Sequence, residues 1–175
     1  TDDGSCCLSI SFEYGDIIAN NLVGENQNDN TGEAIRINDD GNVIIIGDED
    51  FNSYGRVRVF EIIDSSYYQI GNDILGYQHN NSDSTFTIGQ VVSINSDGSI
   101  IAIGDNEFGN NAGRVLVYKN INNQWVQLGE TIIGEDQNTF LNLSISLSSD
   151  GLSIVIGFDN FSQNGFYVGK VQVYD

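Results

Sequence analysis

The chain has 175 residues, a formal charge of −19 and only six Lys and Arg. Such a surface repels phosphate backbones and anionic lipid, so no nucleic-acid partner and no membrane insertion are expected. A 39% hydrophobic content suits one compact domain or a short repeat array, and no apolar run approaches the roughly 20 residues of a membrane-spanning helix.

Glycine is abundant, proline is absent, and Ile, Val, Tyr, Phe, Ser and Thr are frequent, which favours strands joined by glycine turns over helices. The chain starts at Thr1 and contains no Met, so a processed N-terminus or an excised segment is expected.

In chain order, the first feature is the adjacent pair Cys6 and Cys7, the only cysteines. Two neighbours cannot staple two elements of one chain to each other. Each could bond a different partner in another chain, or the two could form a strained vicinal disulfide. They are too few for a zinc site, and a secreted, oxidising location fits them. The segment that follows, SISFEYGDII at 9–18, alternates Ile10, Phe12 and Tyr14 on one side, as a half-buried strand does.

Three copies of one phrase then dominate the chain. They are INDDGNVIIIGD (37–48), INSDGSIIAIGD (94–105) and LSSDGLSIVIGF (147–158). In each, a turn glycine (Gly41, Gly98, Gly151) is followed six residues later by a second glycine (Gly47, Gly104, Gly157). A polar loop follows, then a G-[RK]-V-x-V-[FY] segment. Each copy predicts three antiparallel strands: an alternating one (Ala34 to Ile37 in the first), a nearly all-apolar one (Val43 to Ile46) and an alternating one (Val57, Val59). The Asp-Gly pairs are the hairpin turns, where glycine supplies positive φ. A fourth strand is predicted between copies, YYQIGNDILG at 67–76 and QWVQLGETIIG at 124–134, with Tyr67 standing where Trp125 does. By the same count SISFEYGDII occupies a fourth-strand position, with Gly15 matching Gly129.

The patterns W-x-Q-x-G-x-x-I-x-G-E at 125–135, S-x-D-G-x-x-x-A-I-G (met at 95–104 with Asn95 in the serine place, which Ser148 fills in the third copy) and G-x-V-x-V-Y at 113–118 resemble the blade repeats of extracellular β-propellers related to FG-GAP (integrin α-type) repeats. The resemblance covers nearly the whole chain. It implies an all-β fold of three four-stranded antiparallel propeller-type blades; it does not imply one function, since such blades serve adhesion, ligand binding and scaffolding alike. The expected units are a tail and donor strand at 1–18 and blade repeats at 19–66, 67–123 and 124–175, the last lacking its final strand. Three blades are too few to close a ring within one chain. The edge formed by Val171, Val173 and Tyr174 is therefore expected to accept a strand (Ile10, Phe12, Tyr14) from another copy.

The expected function is structural: an extracellular, homopolymeric filament whose protomers join head to tail. The alternative is a glycan- or protein-binding adhesin module cut from a longer β-propeller, one that could bind calcium. The sequons at Asn80, Asn142 and Asn160 offer glycan acceptors on a secretory route.

Catalytic material is thin. His79 is the only histidine, no phosphate-cradling loop occurs, and no pair of carboxylates is singled out, so no enzyme is expected. No cofactor is required on this reading. Calcium is the candidate ion, because Asp48, Asp50, Asp105, Glu107 and Asp159 lie in oxygen-rich loops after the second strands. The resemblance implies a D-x-D-x-D-G calcium loop at a comparable connection, which only Asp48-Glu-Asp50 approaches. Arg56, Arg114 and Lys170 recur at one position and are expected to pair with loop acids at the surface. Trp125, Tyr67 and Tyr68 are expected to pack between blades.

Overall fold

The computed structural model describes residues 17–78, 85–134, 143–159, 161–164 and 166–175. Cys6, Cys7, Ile10, Phe12, Tyr14, His79, Asn80, Asn142 and Asn160 lie outside the described residues. The architecture is all-β, as expected, with antiparallel sheets and, among the described residues, no sheet closed on itself. The first sheet contains β1 (Thr31–Ile37), β2 (Val43–Asp48), β3 (Arg56–Ile63) and β4 (Ser66–Gln69), and β5 (Ile74–Leu75) also pairs with β3. A small hairpin follows, β6 (Tyr77–Gln78) with β7 (Thr85–Phe86). The second sheet repeats the first: β8 (Val91–Ile94), β9 (Ile100–Asp105), β10 (Arg114–Ile121) and β11 (Gln124–Gln127), with β12 (Ile132–Ile133) also on β10. The third holds β13 (Leu143–Leu147), β14 (Ile154–Phe158) and β17 (Lys170–Tyr174), and the hairpin β15 (Ser162–Gln163) and β16 (Phe166–Tyr167) lies in its last loop. Among the described residues no helix is long and apolar enough to cross a membrane.

The repeated phrase builds the same hairpin three times. Gly41, Gly98 and Gly151 have φ of +72°, +75° and +71°, and each donates its N–H to the carbonyl three residues earlier, at Asn38, Asn95 and Ser148. Those three residues then fasten the turn with their side chains. The Asn38 Oδ1 accepts from the Val43 N–H at 2.8 Å, the Asn95 Oδ1 from Ile100 at 2.9 Å, and the Ser148 Oγ from Ser153 at 3.0 Å. A recurring polar residue ahead of the turn thus satisfies a backbone donor that the turn would otherwise leave unpaired.

The fourth strands are each interrupted. The strand expected at 67–76 is β4 and β5, both on β3; that at 124–134 is β11 and β12, both on β10. Both therefore complete the sheet whose strands precede them in sequence.

The sheets stack in chain order, through β8 against β1 and β2, and through β13 against β8 and β9. One apolar cluster joins Ala34, Val43, Ile45, Val57 and Val59 of the first sheet to Val92, Ile101, Ile103 and Leu116 of the second. Another joins Ala102 and Val115 of the second sheet to Ile145, Ile154, Ile156 and Phe158 of the third. The all-apolar second strand is sandwiched on both faces in β9, where every residue is buried. In β14 it is sandwiched on one face only, and Val155 is exposed.

Candidate assembly edge

β17 pairs with β14 on one side, from Ile154 opposite Tyr174 to Phe158 opposite Lys170. Its other side carries no strand among the described residues, whereas the equivalent β3 and β10 carry β4–β5 and β11–β12. Val171 and Val173 are 70% and 68% exposed, while their counterparts Val57, Val59 and Val115 are buried. Tyr174 turns the other way and packs against the second apolar cluster. Among the described residues β17 is thus the outer strand of its sheet.

Beside β17 an open groove of about 270 Å³ runs between the second and third sheets, lined by Val117, Leu128, Ile132, Leu147, Ile154 and Tyr174. At the joint between the first and second sheets, Trp125 occupies the comparable position on the fourth strand. Its Nε1 donates to the Ile70 carbonyl at 2.8 Å, and its ring packs on the first cluster. Trp125 therefore packs between sheets, as expected; Tyr67 instead meets Phe60 edge-on within its own sheet, with ring centroids 6.1 Å apart.

The oxygen-rich loops serve a different purpose in their first acids. Asp48 is fully buried, and its Oδ2 accepts from the Arg56 Nε at 2.8 Å, with Arg58 Nη2 also 2.8 Å away. Arg56 is 1% exposed, reaches Glu25 and Asp73 at 3.2 Å each, and lies 3.8 Å over the Phe51 ring. Burial works against its charge, yet Asp48 and Glu25 hold its pKa above the usual value. The second sheet repeats the arrangement, with the Arg114 Nε donating to the Asp105 Oδ2 at 3.0 Å and the guanidinium 4.1 Å over Phe108. Burial pushes the Asp105 carboxyl up to about 6, against the pull of Arg114. In the third sheet Phe158 replaces the acid, and Lys170 Nζ lies 5.0 Å from the Phe161 ring and 6.0 Å from Phe158. The expected pairing of the recurrent cations with acids holds in the first two copies, but the pairs are interior rather than at the surface. The rings of Phe51 and Phe108 cover them, a feature that polar loop composition conceals.

The remaining candidate ligands stay apart, on loops of three different sheets. Asp50 accepts from Asn30, Glu107 accepts from the Thr87 hydroxyl at 2.9 Å, and Asp159 is exposed. Among the described residues no three His, Cys, Asp or Glu side chains gather as a metal site.

No family model and no curated protein matches the chain. Among solved structures it is similar to Kuenenia stuttgartiensis hydrazine synthase, at 17% sequence identity and a TM-score of 0.48, over 79% of this chain and 37% of that one.

Proposed function

We propose that the chain is a structural protein, the protomer of an extracellular filament, with no catalytic role. Its three stacked sheets are propeller-type blades, and each protomer completes the third blade of its neighbour with residues 10–18. The open edge of β17 carries this reading. Two equivalent strands in the same chain are paired on both sides, and among the described residues the third has a strand on one side only, as the outer strand of its sheet.

The register supports the donor. In the first two sheets Phe60 faces Gln69 and Tyr118 faces Gln127, while Val57 faces Ile74 and Val115 faces Ile132. The same spacing from Gly15 sets Glu13 opposite Tyr174 and Ile18 opposite Val171 in the neighbouring copy. Ile74 and Ile132 pack against the apolar clusters, whereas Ile18 is 72% exposed in the single chain. The Asn20 N–H donates to the Ser65 carbonyl, which ties the segment's end to the first sheet, two sheets away from β17.

The test is negative-stain imaging with light scattering on the wild-type chain and on Phe12→Pro, since proline removes a ladder donor. Polymers from the wild type and a 19.1 kDa species from the variant are expected. A monodisperse wild-type monomer would overturn the reading in favour of a binding module.

A further inference from the structure

The two joints between sheets are built from one recurring set of contacts. The Asp39 N–H donates to the Ser96 carbonyl at 3.2 Å, and the Ser96 N–H donates to the Ser149 carbonyl at 3.0 Å. Each of these residues lies two places before its turn glycine, so the bonds form a ladder from sheet to sheet. A Cβ on Gly98 would press on Val43, and one on Gly151 would press on Ile100, each two places after the preceding turn glycine. At the first joint the Gly89 carbonyl, held at φ +111°, is seated directly on Gly47. Each joint thus mates the front of one sheet, bearing the second-glycine notch and the Val-x-Val strand, with the first strand and turn of the next.

Both halves of this joint recur, unmated, at opposite ends of the stack. On the third sheet the front face carries Val155, Val171 and Val173 at 39%, 70% and 68% exposure. Beside them an open notch of about 420 Å³ is lined by Ser144, Gly157, Val168, Gly169 and Val171. On the first sheet Ile35 and Ile37, which match the mated Val92 and Ile94, are 59% and 56% exposed. Ile46, Arg58 and Phe60 of that same sheet are already covered, so the open strip runs along β1, the strand the internal joints use. Gly41 and Gly32 have nothing within 4 Å of a built Cβ, although their counterparts Gly98 and Gly89 are clamped. Gly32 already holds the Gly89 conformation, with φ +95°.

We infer that the front face of the third sheet is a docking surface for the first sheet of a second copy, which repeats the internal joint in trans. The inference deepens the filament reading and rests on it: strand addition at β17 delivers the neighbour's first sheet to this face, as β4–β5 precede the sheet stacked on β3. It also adds a contact that strand addition alone does not require. The occupant is a second copy of this chain, because the chain carries the complementary half and mates the same halves twice within itself.

The test uses full-length variants at exposed positions, with circular dichroism to verify folding. Val155→Asp blocks the front face from β14, opposite Val173, and leaves the backbone along the free side of β17 unchanged, while Ile35→Asp/Ile37→Asp blocks the back. Each is expected to raise the concentration needed for association by roughly a hundredfold, since a carboxylate would enter an apolar joint. An equimolar mixture of the two is expected to give a discrete dimer by sedimentation, through the one unblocked pair of faces. If Val155→Asp and Ile35→Asp/Ile37→Asp both polymerise as the wild type does while Phe12→Pro does not, the edge alone holds the joint and this inference is wrong. If Phe12→Pro associates and Val155→Asp does not, stacking stands and strand donation falls. A wild type that stays monomeric at all concentrations overturns both.

Discussion

Replacing Arg56 with Met removes one partner of a buried ion pair while preserving most of the side-chain volume. Arg56 is 1% exposed and Asp48 is fully buried, so the carboxylate left behind cannot turn to water. Breaking such a pair from one side costs about 3–5 kcal/mol. Arg58 Nη2 remains 2.8 Å from the same oxygen, which places the expected loss near the lower limit, about 3 kcal/mol. The loss of the guanidinium over Phe51 is included in that figure. Urea denaturation at pH 7 reads the change as a shift in midpoint at constant slope. Asp48→Leu added to Arg56→Met removes the stranded charge, so the double variant is expected to be more stable than the sum of the single costs by about 2 kcal/mol or more. A cost below about 1 kcal/mol for Arg56→Met, or additive costs, would refute the claim that the pair is buried and coupled.

The same reasoning gives distinct expectations elsewhere. Because folding raises the Asp105 pKa from 3.8 to about 6, its contribution is full below the unfolded value and is lost as pH rises through the folded one. Relative to Asp105→Asn, the wild type should therefore lose about 2 kcal/mol between pH 4 and 6.5 in denaturation series. Gly47→Ala puts a methyl on the Gly89 carbonyl oxygen, which belongs to a backbone fixed in the next sheet. It should cost about 1–3 kcal/mol or more by thermal unfolding, whereas Gly157→Ala meets only the Ser144 hydroxyl, which can rotate, and should cost well under about 1 kcal/mol. Copies carrying a charge of −19 repel one another, so light scattering should show polymerisation promoted by raising NaCl from about 20 to 150 mM. Titration with calcium is expected to leave the unfolding temperature unchanged, because Asp48 and Asp105 face guanidinium groups.

The hairpins were legible because their grammar is local: an Asp-Gly turn, a glycine six residues on and an apolar run between them. The paired β4–β5 and β11–β12 were legible as one strand each, but their interruption was not, since it depends on how the chain crosses β3 and β10. Burial of the ion pairs was hidden for a similar reason. Asp48 ends an apolar strand and opens a polar loop, a position that reads as a rim, and only the stacked sheets and the Phe51 ring enclose it. The turn-fastening role of Asn38, Asn95 and Ser148 had a signal that went unread, a polar residue three places before each of the three turn glycines. Alternation in β17 correctly located two faces, yet alternation cannot say that the valine face of the third sheet lies open. That follows from counting sheets.

The most direct test is a high-resolution map of the wild-type polymer. The account predicts that β17 of each copy is paired along its free edge with residues 10–18 of the neighbour, with Glu13 opposite Tyr174 and Ile35 and Ile37 seated near Val155. A map in which the β17 edge stays unpaired, or is paired by residues of its own chain, would contradict it.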